Sequence, residues 1–267
     1  WLPYYFVERQ KLNKLFVSVL LCFFLLNCSN GNKDSQPLVF AAASLHDALT
    51  EIKNQYRLER GKSVKFSFGG STNLSRQISS YGAPADGVIF SGSQPLVVLI
   101  NAGKISSNDV TEILQNRLVV IWGKQSENLG SFQDLAFTSG KIAVTDKNLA
   151  PAGDYSYEAL HNSGVYDFVK NRLIPLGDVR SALNTVLSGN SNYGIVYSSD
   201  LNIIGSEYDF ILIPQEFHSP ISYPAVEIKN SKLKYEVRLF FDYLNSKTAS
   251  DIFDRHGFTT FTLATSK

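Results

Sequence analysis

Apolar residues in this chain recur in two rhythms, short runs that suit strands and three-to-four spacings that suit helices. Leu38–Ala42 is a brief apolar run, and Leu45, Ala48, Leu49, Ile52 and Tyr56 then fall on one helical face. Val64–Phe68 alternates apolar and polar residues and predicts a second strand, while Leu74, Ile78 and Tyr81 predict a second helix. Gly87–Phe90, Leu118–Trp122, Lys141–Val144 and Tyr193–Tyr197 predict further strands, with helices over Tyr155–Leu160 and Ser181–Leu187. The pattern closes with helices over Leu233–Leu244 and Ser250–His256, and Gly257 stands as a C-terminal stop. Alternating strands and helices predict an α/β fold with mostly parallel sheets.

The chain divides near Leu118, where Asn116-Arg117 ends one α/β set and LVVIWGK begins another. Tyr223–Ile228 predicts a strand that carries the chain back. Residues 38–117 with 224–267 then form one lobe and 118–223 the second, leaving a cleft between them. Open α/β sheets bind ligands beyond the carboxyl ends of their strands, so the short motifs matter most where they follow a strand.

Residues ahead of Leu38 follow neither rhythm. Lys11 and Lys14 precede an apolar run, Leu15–Leu26, that ends at Asn27-Cys28. A basic region, a short apolar region and a small-residue boundary predict a secretory signal over residues 1–28. The run falls short of the roughly 20 apolar residues of a transmembrane helix. Leu25-Leu26-Asn27-Cys28 looks like a bacterial lipobox, whose cysteine becomes the lipidated first residue; an ordinary signal peptide with an incidental cysteine is the alternative. Residues 29–37 read as a flexible polar tether, and Trp1–Gln10 are candidates for untranslated sequence. The expected product is exported and held to a membrane only through lipid on Cys28.

Composition narrows the classes. Of 267 residues, 44% are hydrophobic and 18% charged, enough for a sizeable core and contrary to disorder. The net charge of +1, with scattered basic residues, excludes a phosphate-binding stripe and so argues against a nucleic-acid partner. Both cysteines, Cys22 and Cys28, lie in the predicted signal, so the body is expected to have no disulfide and no cysteine metal site.

Five places after strands carry candidate chemistry. Ser44, in VFAAASLHDAL, meets a helix start; Ser-x-x-Asp suits a capping box, yet the first turn also offers unpaired N–H donors and partial positive charge to an anion. Ser71 repeats the arrangement in FGGSTNLSRQI, where Gly69-Gly70 permit close backbone approach but match neither dinucleotide nor P-loop patterns. Ala152, after Pro151, and Val179, in Asp178-Val179-Arg180, offer only backbone at helix starts. Tyr197 ends YGIVY, where a phenol can face a cleft or simply pack. His46, His161, His218 and His256 lack metal-ligand spacing. His46 and Asp47 beside Ser44 invite a triad reading, but adjacent helix residues do not face each other and no G-x-S-x-G elbow occurs.

Together with LSRQI (74–78), GAPAD (82–86), PAG (151–153), DVR (178–180), GIVYSSD (194–200) and YPAV (223–226), the ordered set resembles one family: the periplasmic molybdate-binding proteins that feed ABC transporters. The resemblance runs from about Leu38 onward. It implies a two-lobed periplasmic-binding-protein fold of the class II type, each lobe a mostly parallel sheet flanked by helices, with the ligand in the interlobe cleft. It also implies that Ser44 and Ser71, the backbone of Ala152 and Val179, and the Tyr197 hydroxyl hold molybdate or tungstate. Molybdenum would be present only as that oxyanion, with no cofactor and no catalysis. The partner implied is an ABC permease, and a monomer is expected. Two departures stand out: the stretch Gly69–Asn73, and Ser91-Gly92-Ser93 where the family carries an acidic residue. They bear on the ranking of oxyanions. Another oxyanion such as sulfate is the alternative ligand, a secreted serine hydrolase using Ser44 or Ser71 the alternative of another class, and a purely structural surface lipoprotein a third.

Overall fold

The computed structural model describes residues 36–260. The predicted signal with Cys28, most of the predicted tether and residues 261–267 lie outside the described residues.

In chain order the strands are β1 (Leu38–Ala42), β2 (Lys65–Gly69), β3 (Gly87–Ile89), β4 (Thr111–Asn116), β5 (Leu118–Gly123), β6 (Ile142–Thr145), β7 (Leu173–Leu176), β8 (Tyr193–Tyr197), β9 (Tyr208–Leu212), β10 (Ile221–Glu227) and β11 (Thr259–Thr260). The helices are α1 (His46–Arg60), α2 (Ser71–Tyr81), α3 (Gln94–Asn101), α4 (Pro151–Asn162), α5 (Tyr166–Val169), α6 (Val179–Leu187), α7 (Lys234–Leu244) and α8 (Lys247–Arg255). They build two sheets, ordered β11-β4-β10-β3-β1-β2 and β7-β6-β8-β5-β9. The chain passes from the first sheet to the second through Arg117 alone, between β4 and β5, and returns before β10.

Strand alternation builds layers on both faces of the first sheet. Val39 and Ala41 face one apolar cluster, with Leu45, Leu49 and Ile52 of the α1 region; Phe40 faces another, with Leu74, Ile78 and Leu99 from α2 and α3. Ile89 and Val88 divide the same way, as side chains of period two must. Leu49 is fully buried, and truncating such a leucine to alanine costs about 2–5 kcal/mol. In the second sheet β5 is buried along its whole length, because it lies between β8 and β9.

The sheets are mixed rather than mostly parallel. β1 pairs in parallel with β2 and β3, and β6 with β7 and β8. Every pairing of β10 and β5 is antiparallel. Those two strands carry the chain between sheets, so they enter from the opposite end. β10 also begins at Ile221, earlier than its apolar run suggested, and tolerates Pro224 because the register with β4 shifts between Tyr223 and Pro224.

Candidate functional site

Six parallel strands end at one place. β1 ends at Ala42 and runs into a 3-10 turn, Ala43–Leu45, that leads directly into α1. β2 ends at Gly69 and α2 starts at Ser71. β3 ends just before Ser91. In the second sheet β6 leads to Pro151 at the start of α4, β7 to α6, and β8 ends on Tyr197. The carboxyl ends of parallel strands, each turning into a helix or turn start, therefore face each other across the two sheets.

Ser44, Ser71, Ala152, Val179 and Tyr197 all line one small cavity. All five are buried; Ser71 and Tyr197 are each 1% exposed. Neither serine acts as a helix cap. Ser44 Oγ lies 2.9 Å from the Tyr223 hydroxyl, and Ser71 Oγ accepts from the Ser91 N–H at 3.1 Å. Asp178, in contrast, is a working cap: its carboxylate accepts from the Ser181 N–H at 2.9 Å. That leaves the first-turn N–H groups of Ala152 and Val179 at the cavity. None of the lining residues is Lys, Arg or His, and Asp178 is the one acid. Burial raises the Tyr197 phenol well above its usual pKa, so it stays protonated and can donate.

Three lining or supporting residues escaped the reading of the chain. Ser91 gives its N–H to Ser71 and its hydroxyl lies 2.9 Å from that of Tyr197. Tyr223 backs Ser44, and the Asn116 amide donates to Tyr223 at 3.1 Å. Ser91 was visible as the place where an acidic residue was missing, and Tyr223 as the first residue of YPAV. Nothing local marks Asn116.

The two sheets are in direct contact around the cavity. A Cβ at Gly70 would come within 2.6 Å of the Leu149 carbonyl and 2.8 Å of the Gly177 carbonyl, so only glycine fits. The Asn73 N–H donates to Leu149 O at 3.0 Å, and Arg76 donates to Asn148 O at 2.8 Å. Arg180, on α6, pairs with Asp47 of α1 at 2.8 Å and with Asp200 at 3.0 Å. Burial pushes the Asp200 carboxyl up to about 6, against the opposing pull of Arg180 and the Tyr197 N–H. Burial also works against charge on Asp47, but the His46 hydrogen bond and Arg180 outweigh it and hold that carboxyl below its usual value.

His46 and Asp47 do touch, at 2.8 Å, although helix neighbours were expected to point apart. They are the first two residues of α1. The contact makes no triad, since the partner of Ser44 is a phenol rather than an imidazole. A larger groove runs past Tyr56, Arg60, Lys62 and Tyr235; there Arg60 lies over Tyr243 and Lys62 over Tyr235, at 6.0 and 5.8 Å. It lies away from the strand ends.

Two α/β sheets meeting over a buried set of donors, at the carboxyl ends of parallel strands, define a binding protein rather than a scaffold. The chain belongs to the bacterial extracellular solute-binding protein family, which matches residues 37–259. Within that family it is 34% identical over 261 residues to the molybdate-binding protein ModA of Escherichia coli, covering 95% of this chain and 99% of that one. It is 32% identical over 255 residues to YvgL of Bacillus subtilis, a putative ABC transporter substrate-binding lipoprotein, covering 92% of this chain and 97% of that one. Among solved structures, the substrate-binding domain of a putative molybdenum ABC transporter from Clostridium difficile is 31% identical, with a TM-score of 0.65 over 85% of this chain and 99% of that domain. Among the described residues no helix is long and apolar enough to cross a membrane.

Proposed function

We propose that this protein binds molybdate, with tungstate as a second ligand, between two hinged lobes outside the cytoplasmic membrane, and hands it to an ABC permease. The lobes are the two sheets with their helices, joined at Arg117 and ahead of β10. The observation that carries the reading is the cavity lining: hydroxyls of Ser44, Ser71 and Tyr197 and first-turn N–H groups of Ala152 and Val179, with no cation among them. A fully deprotonated tetrahedral dianion can only accept hydrogen bonds, and bonds to an ionised acceptor are roughly twice as strong as neutral ones. Neutral donors and helix starts satisfy it without the desolvation cost of a buried lysine or arginine. The molybdate-binding relatives support the choice of ion.

The protein then needs no cofactor and performs no chemistry. A serine hydrolase would need a base beside Ser44 or Ser71, and their partners are a phenol and a backbone N–H. Lipid on Cys28 would hold the protein at the membrane, a reading that the lipoprotein relative supports. A monomer suffices, because both halves of the cavity come from one chain.

Titration calorimetry on residues 29–267 with molybdate, tungstate, sulfate and phosphate tests the reading. Tight binding of molybdate and tungstate over sulfate is expected. Sulfate binding as strongly as molybdate would move the protein to another oxyanion class, and silence with all four would overturn the proposal.

A further inference from the structure

Ser44 and Ser71 are useful to a dianion only if their hydrogens point at it. A serine hydroxyl can equally turn a lone pair inward. What sets the direction lies behind the cavity wall, in residues with no contact to a ligand.

Asn116 ends β4, and its side-chain orientation is settled by its neighbours. Its Oδ1 accepts from the Arg117 N–H and from the Ser198 hydroxyl, both at 2.9 Å. The amide nitrogen must then face the other way, where it donates to the Ser199 hydroxyl at 2.9 Å and to the Tyr223 hydroxyl at 3.1 Å. Tyr223 is fully buried. Having accepted from Asn116, its own hydrogen needs an acceptor, and the Ser44 Oγ is 2.9 Å away. If Ser44 donated to Tyr223 instead, the phenol hydrogen would be buried unpaired, at a cost that hydrogen-bonded interiors avoid. On the other side of the cavity the Ser91 N–H occupies a lone pair of Ser71, which leaves that serine's hydrogen free as well.

We propose that Asn116 and Tyr223 are positioning residues that keep the Ser44 hydrogen turned to the ligand, so that this serine meets an oxyanion as a donor. The inference rests on the oxyanion-binding reading above. Molybdate can only accept, so it needs that hydrogen; hydrogen phosphate carries a proton of its own and can also use a serine that presents only lone pairs.

The test compares wild type, Tyr223→Phe and Asn116→Asp by calorimetry with molybdate and with phosphate at neutral pH, each variant first checked for an unchanged melting profile. Tyr223→Phe frees Ser44 to rotate; molybdate binding is expected to weaken about tenfold, with phosphate much less affected. Asn116→Asp replaces the amide donor by an acceptor. Tyr223 then turns its hydrogen to the new carboxylate, Ser44 donates to Tyr223, and Ser44 presents a lone pair to the ligand. That variant is expected to lose molybdate affinity by more than tenfold and to gain affinity for hydrogen phosphate, a crossing that structural damage cannot produce. Should Asn116→Asp not fold, the ratio measured on Tyr223→Phe decides. Folded variants with the wild-type molybdate-to-phosphate ratio, whether affinities hold or fall together, would overturn the relay alone. Wild type silent toward both ions would overturn the binding reading itself and the relay with it.

Discussion

Ser44 and Ser71 lie at the starts of helical turns, yet neither side chain caps a helix. Their hydroxyls instead meet Tyr223 and the backbone of Ser91. Sequence pattern located both serines, because a strand followed at once by a helix start is a local signal. It could not supply their partners: Tyr223 lies 179 residues from Ser44, and only the return of β10 brings it there. Ser71→Ala is expected to reduce molybdate affinity at least about tenfold, with a melting temperature within a few degrees of wild type, since the lost bond is to one backbone N–H. Calorimetry and thermal melting together read both. Asp200 sets a pH dependence. Its folded pKa of about 6 lies above the usual 3.8, so the folded state binds the extra proton. Its contribution to stability is fully present below about pH 3.8 and is lost as pH rises through about 6. The melting temperature of wild type, measured relative to Asp200→Asn, is therefore expected to fall between those pH values; a constant difference would count against the assignment.

At the scale of elements, the strands flanked by clear helical spacing were legible: β1, α1, α2, β5 and β8 lie where the apolar rhythm put them. The missed ones have physical reasons. β9 is an edge strand with Phe210 and Leu212 facing outward, so its apolar residues do not mark a buried face. β4 has only Ile113, Leu114 and Asn116 buried, a weak alternation. α3 is eight residues of nearly unbroken apolar sequence, which carries no helical period to read. The Gly69-Gly70 pair was legible as a close approach, but what approaches was not. Gly70 has φ −64° and ψ 124°, a conformation open to any residue. Gly70→Ala is therefore expected to leave the first sheet and α2 intact while its Cβ meets the Leu149 and Gly177 carbonyls. The two sheets would be kept apart and molybdate affinity would fall by more than tenfold at nearly unchanged stability. A tight-binding Gly70→Ala variant would show that this contact is not part of the binding-competent form.

For the whole molecule, the contacts that cross between the sheets combine one shared apolar cluster with polar contacts at its edges. Arg180 reaches Asp47 on one side, and Arg76 reaches the Asn148 carbonyl on another. Asp47 is one-third exposed, so this pair contributes at most about 1 kcal/mol. Asp47→Asn is expected to weaken molybdate binding less than tenfold and to act on the release rate; stopped-flow dissociation would detect it, and a changed association rate alone would contradict it. The cavity lining, empty of lysine and arginine, also bears on the time course of encounter. A cleft lined by cations draws anions from a distance, and dissolved salt screens that attraction. Here the attraction is short-ranged and dipolar, so the rate of ion capture should change little from fresh water to brine. Selectivity would then reside in how long an ion stays rather than in how fast it arrives.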